Sequence, residues 1–206
     1  MRQPEQGAND IDQALKLKPD YVEALMARAQ IQLYKQNASA AVVDLDTVDR
    51  VVPKEATVRL ELASLYEEAS RLPAAIIQLD EWISVHSRDI SLSQALNERC
   101  WVRALLGQEL DRALQDCNAG LRLDAHSPKL LDSRALVHLR RGEFEKSIAD
   151  YDAALTIRPK EAWSLYGRGV AKLRAGKTKE GEADIAAAVA IDPHMAERAK
   201  QYGIGA

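Results

Sequence analysis

The sequence predicts an all-α protein, an α-solenoid in which one helix–turn–helix unit is copied along the chain. Three observations carry that expectation. Pro19, Pro53, Ser87, Ala125, Pro159 and Pro193 punctuate the chain at intervals of 34, 34, 38, 34 and 34 residues. Within each interval, small and aliphatic side chains recur in two blocks at steps of three and four, which share one helix face. A glycine or a substitute for it separates the blocks. A fixed period of this length marks a stack of like units, each burying its apolar face against its neighbours.

Taken in order, residues 1–19 are expected to form an orphan second helix, because Gly7, Ile11, Ala14 and Leu17 fill second-helix positions. Full units follow over 20–53, 54–87, 88–125, 126–159 and 160–193. Their first helices carry the pairs Leu25/Ala29, Leu96/Cys100, Leu131/Ala135 and Leu165/Gly169. Their second helices carry Ala41/Leu45/Val48, Ala75/Leu79/Trp82, Ala113/Cys117/Gly120, Ser147/Tyr151/Ala154 and Gly181/Ile185/Ala188. Small residues in facing columns let the two backbones approach. Gly107, Gly142 and Gly176 end first helices by supplying a left-handed residue, whereas Gln36 and Ser70 are weaker stops there. Ser127-Pro128 reads as an N-cap with proline in the first turn. The 38-residue interval places three extra residues near 87–92 and one just after Gly107, in turns that tolerate insertion. Residues 194–206 are expected to hold a capping helix, amphipathic over 195–203.

Bulk properties narrow the function classes. The formal charge of −3 is spread through the chain, without the concentrated positive footprint that phosphate backbones require. No apolar run approaches the roughly 18 residues of a membrane span. The N-terminal MRQPEQGAND is too polar for a secretory signal, so a soluble protein is expected, cytoplasmic or periplasmic after loss of a leader.

Comparison between units shows a second regularity. Arg28, Arg99, Arg134 and Arg168 share one first-helix column, and Asp44, Asp116, Asp150 and Asp184 share one second-helix column. The unit with Leu62 in place of arginine also lacks the acid, having Gln78. Residues that appear and vanish together suit a structural ion pair between the two helices. The alternative makes the arginines ligand anchors, since guanidinium forks fit carboxylates. A pairing to the preceding unit is open as well, with Asp10 in register for Arg28.

Reactive chemistry is not evident. His86, His126, His138 and His194 are scattered without metal-ligand spacing, and His138 reads as solvated. Cys100 and Cys117 face each other across one hairpin. Buried free thiols are the default reading, and a disulfide suits an exported protein. There is no phosphate loop and no nucleophile elbow, and Glu67-Glu68 point different ways. Neither an enzyme nor a cofactor is expected. Asn37-Ala38-Ser39 matches a glycosylation sequon that arises easily by chance.

The segments Leu131-Asp132-Ser133-Arg134-Ala135, Gly142, Ala149-Asp150-Tyr151-Asp152-Ala153-Ala154-Leu155 and Leu165-Tyr166-Gly167-Arg168-Gly169 resemble the motif of the tetratricopeptide repeat family, in the form common in bacterial arrays. The likeness covers nearly the whole chain. It departs where an aromatic usually closes the first helix: only Tyr66 supplies one, with Gln32, Arg103, His138 and Lys172 elsewhere, which makes the inner wall more polar. The resemblance implies a right-handed superhelix whose first helices line a concave groove that binds peptides or proteins. It also implies a non-catalytic scaffold, since fold alone does not name the partner. A prokaryotic source is expected from the same resemblance.

Groove candidates lie off the packing columns of the first helices. At the front these are Glu23, Met26, Gln30 and Tyr34, then Glu61, Ser64, Glu67 and Glu68. Further back they are Asn97 and Trp101, then Lys129, Asp132, Leu136 and Arg140, then Trp163, Tyr166, Val170 and Arg174. Trp, Tyr and Arg are common binding hot spots, so the rear is the favoured site, suited to an extended segment with acidic and apolar residues. The Lys/Asn clamp of repeats that bind chaperone tails is missing, as Asn97, Trp101, Ser133, Trp163 and Gly167 occupy its positions. Two other readings stay open. Residues 5–18 expose Ile11, Ala14 and Leu17 and could drive homo-oligomerisation. The half-unit start also fits an accessory region of a larger, exported enzyme.

Overall fold

A computed structural model describes residues 2–205. Among them every regular element is a helix: α1 (Arg2–Leu17), α2 (Val22–Tyr34), α3 (Ala38–Val51), α4 (Val58–Glu68), α5 (Leu72–Val85), α6 (Leu92–Leu106), α7 (Leu110–Leu123), α8 (Pro128–Arg140), α9 (Phe144–Ile157), α10 (Ala162–Arg174), α11 (Thr178–Ile191) and α12 (Met195–Gln201). They fall into two compact units, residues 1–89 and 90–206.

In the first unit α1 lies on α2, and the hairpins α2/α3 and α4/α5 stack through α2–α4 and α3–α4. Ala29, Ala41, Leu45, Val48, Leu62, Ala75 and Leu79 fill its core. In the second unit the hairpins α6/α7, α8/α9 and α10/α11 stack in turn, and α12 covers the last. Neighbouring first helices touch, α6 to α8 and α8 to α10, while α7, α9 and α11 do not approach one another. First helices therefore form the tighter, inner wall of this unit. That spacing is what makes an α-solenoid curve.

The turns inside hairpins need left-handed residues. Gly107, Gly142 and Gly176 adopt φ of 65°, 74° and 80°, and Gln36 and Ser70 are forced to 58° and 59°. Glu109, in the turn lengthened after Gly107, also takes a positive φ of 50°. At α8 the expected Ser127 cap is made by its backbone alone: Leu131 N donates to the Ser127 carbonyl at 3.1 Å, and the hydroxyl caps nothing. Close helix approach is tightest at Gly169 and Gly181, where a Cβ on either would stand 2.8 Å from the other's carbonyl oxygen.

Candidate functional site

The arginine–aspartate columns meet inside each hairpin. Arg28 Nε donates to Asp44 Oδ2 at 2.8 Å, Arg99 Nε to Asp116 Oδ2 at 2.9 Å, Arg134 Nε to Asp150 Oδ2 at 2.7 Å and Arg168 Nε to Asp184 Oδ2 at 2.7 Å. A second guanidinium nitrogen engages the other carboxylate oxygen in each case. The carboxylates are buried. Hydrogen bonds donated to Asp44, Asp150 and Asp184 raise the affinity of Arg28, Arg134 and Arg168 for their protons. Burial alone would raise the Asp184 carboxyl, but the bonds from Arg168 and Lys172 outweigh it and hold it below its ordinary value.

The third guanidinium nitrogen reaches the preceding second helix. Arg28 meets Asp12 at 3.3 Å, Arg134 meets Asn118 at 3.0 Å and Arg168 meets Asp152 at 2.7 Å. The partner of Arg28 on the preceding helix is thus Asp12 and not Asp10, sixteen residues back as in the contacts of Arg134 and Arg168. The unit lacking the pair fills the gap from one turn earlier: buried Arg59 bonds Gln78 and holds Asp49 and Glu81, each at 2.9 Å.

Three residues expected to make the inner wall polar turn into the hairpin instead. Arg103 Nη1 lies 2.5 Å from Asp116, Lys172 Nζ lies 2.8 Å from Asp184, and His138 lies 3.8 Å from Asp150. A lone buried carboxylate draws a second donor one helical turn beyond the arginine. His138 is therefore buried and bonded to Glu143 at 2.7 Å, not solvated. Cys100 and Cys117, expected as free thiols, are joined by a disulfide. Both side chains are fully enclosed at the centre of the α6/α7 hairpin, in columns that bring them face to face.

On the inner wall of the second unit, Trp101 of α6 and Trp163 of α10, from the first and third hairpins, stack edge to face with centroids 5.2 Å apart. Lys129 and Arg174 are exposed. Asn97 accepts from Ser133 at 2.9 Å, a rung between α6 and α8. Asp132 accepts from Ser164 between α8 and α10, and burial pushes its carboxyl up to about 7. Leu136, Tyr166 and Val170, expected to face a ligand, are buried. Met26 is buried likewise at the front, where Glu23, Gln30, Tyr34, Glu61, Ser64 and Glu68 remain exposed. A first helix packs against its own second helix, the preceding second helix and its first-helix neighbours. Its buried arc is therefore wider than one stripe.

Arg140 is the wall residue whose setting the sequence hides. Its guanidinium donates to the backbone carbonyls of Leu105 at 3.1 Å, of Gly203 at 3.4 Å and of Tyr202. Its Nε is buried without a partner, as is Trp163 Nε1. Burial lowers the proton affinity of the Arg140 guanidinium. Among the described residues no group of His, Cys, Asp or Glu is placed to hold a metal ion, and no helix is long and apolar enough to cross a membrane.

Comparison with known proteins gives a consistent family. Residues 1–47 match a family described as Tetratricopeptide repeat, and residues 135–176 one described as TPR repeat. No curated protein matches the sequence. Among solved structures, PilW, described as a widely conserved type IV pilus biogenesis factor, is similar at TM-score 0.72 and 17% identity over 92% of this chain and 86% of that one. A tetratricopeptide repeat protein from Parabacteroides merdae is similar at 0.70 and 18%, over 95% and 82%. YrrB, described as a TPR protein with an unusual peptide-binding site, is similar at 0.57 and 14%, over 94% and 99%. At these identities the likeness is one of fold. Two segments of the chain, residues 1–47 and 135–176, are thus tetratricopeptide repeats, and the hairpins of both units follow the same helix–turn–helix plan.

Proposed function

We propose that the protein is a non-catalytic scaffold that binds an extended peptide segment along the inner wall of its second unit. The observation that carries this reading is the half-exposed Trp101–Trp163 pair on the first helices of the second unit, a wall that also carries exposed Lys129 and Arg174. Stacked aromatics on a wall that also carries cations form a surface that gains by covering apolar segments with acidic groups. The arginine ladder is structural, because each guanidinium is already spent on a buried aspartate. The disulfide fits an oxidising compartment, since cytosolic thiols are kept reduced.

Selection from a random peptide display library on the immobilised full chain tests the reading. Selected peptides should lose at least about tenfold in affinity on Trp163→Ala/Arg174→Glu, a loss typical of a hot spot. The variant should melt close to the parent. Undiminished binding by the folded variant would sink the proposal. A second reading, self-association through α1, has on its side Leu17, which is 89% exposed, although Ile11 and Ala14 are half-buried and Leu15 docks inward. A concentration-independent mass by light scattering excludes it.

A further inference from the structure

The chain that follows α12 is not a loose end. Gly203 takes a left-handed φ of 65°, so that its amide and that of Ile204 close the helix on the Lys200 and Ala199 carbonyls at 2.9 Å. This turn lays Tyr202, Gly203 and Ile204 onto the inner wall of the second unit, beside the residues proposed above to bind peptide. The Tyr202 ring stands edge-on to Trp163 at 6.3 Å, extending the Trp101–Trp163 pair into a run of three rings. Ile204 is only 4% exposed. Arg140 grips two successive carbonyls, those of Tyr202 and Gly203.

These contacts are the ones a peptide ligand would make. The described partners of Arg140 are backbone carbonyls and no carboxylate, so it recognises main chain and not one side chain. Trp163 offers its ring to an aromatic and keeps a buried indole N–H without an acceptor. The occupant also under-fills its place. A cleft of about 180 Å³ remains beside Gly203 and Ile204, walled by Leu139, Phe144, Val170 and Arg174.

We infer that Tyr202-Gly203-Ile204 is an internal occupant of the peptide site, and that the site's partner is a peptide segment of like chemistry, an aromatic, a small residue and an aliphatic in succession, which must displace it. The inference rests on the peptide-binding reading and adds both the ligand's pattern and a built-in competitor. An internal competitor lowers apparent affinity by the fraction of molecules in which the site is open.

The probe is a fluorescein-labelled, amidated peptide Arg-Ala-Lys-Gln-Tyr-Gly-Ile-Gly, the sequence of residues 198–205, titrated by anisotropy. It is added to the parent, to a chain ending at Gln201, and to the full chain carrying Tyr202→Ala/Ile204→Ser. Circular dichroism confirms folding of each. Both opened chains should bind the probe at least about tenfold more tightly than the parent, and Arg140→Gln placed on either should abolish the gain. Opened chains that fold and bind the probe no better overturn the inference. So does collapse of helical structure in both, which would make the segment a structural cap. Display-selected peptides that bind parent and opened chains equally, without competing with the probe, overturn it while leaving the peptide-binding reading intact. Failure of every selected peptide to depend on Trp163 overturns that reading instead.

Discussion

Replacing Arg134 by methionine removes the central rung of the second unit's ladder and isolates a buried charge. In the parent, Arg134 Nε and Nη2 each lie 2.7 Å from one Asp150 oxygen, and Nη1 also holds Asn118. The Asp150 side chain is 12% exposed and that of Arg134 is 26% exposed. After the substitution Asp150 is left with the more distant His138 imidazole, 3.8 Å away. Stranding one member of a buried pair costs about 3–5 kcal/mol, and the open edge of Arg134 places this site toward the lower end. About 3 kcal/mol corresponds to a drop in melting temperature of roughly 10 °C or more for a unit of this size. Thermal and urea unfolding by circular dichroism read the change. Arg134→Met/Asp150→Leu should recover a large part of it, since a fully apolar pair no longer strands a charge. A loss below about 1 kcal/mol, or a double variant no better than the single, would refute the reasoning. Lost peptide affinity at unchanged stability would make Arg134 a ligand anchor instead.

Other consequences follow from single contacts. Reduction of Cys100–Cys117, which closes a loop of sequence separation 17, should lower unfolding free energy by about 3 kcal/mol, visible as a lower urea midpoint. Asp132 holds its proton up to about pH 7 in the folded chain and releases it near 3.8 when unfolded. The folded state therefore binds more protons in this window, and stability at this site falls as pH rises from about 4 to 7, by at most about 4 kcal/mol. Asp132→Asn, which keeps the acceptor for Ser164, should flatten that slope in melts taken across the same range. Gly181→Ala forces a Cβ to within 2.8 Å of the Gly169 carbonyl oxygen and should destabilise by about 1–3 kcal/mol in the same unfolding assay.

The fold was legible because the chain repeats itself. Each unit serves as a control for the others, so the shared columns of Arg134 and Asp150, or of Ala135 and Ser147, emerge from one sequence. The same comparison gave the ladder, yet it chose Asp10 over Asp12, since α1 has no preceding hairpin to set its register. Column reading also misjudged Leu136, Tyr166 and Val170, because a first helix in a stack touches several neighbours and buries a broader arc than one stripe. Cys100 and Cys117 occupy core columns whether bonded or free, so spacing could not decide between the two. Arg59 and Tyr202 were missed for a common reason: both act where the pattern breaks. Gly203 followed by an apolar Ile204 was the one local signal that the chain turns back onto the wall.

The central claim is that the inner wall of the second unit is where a partner is held. The chain's three tryptophans test it directly by ¹⁵N indole resonances, with Trp101 and Trp163 on that wall and Trp82 buried in the other unit. Titration with a display-selected peptide should shift or broaden the Trp101 and Trp163 signals while Trp82 stays in place. Saturating binding that leaves both wall indoles unmoved would contradict the account.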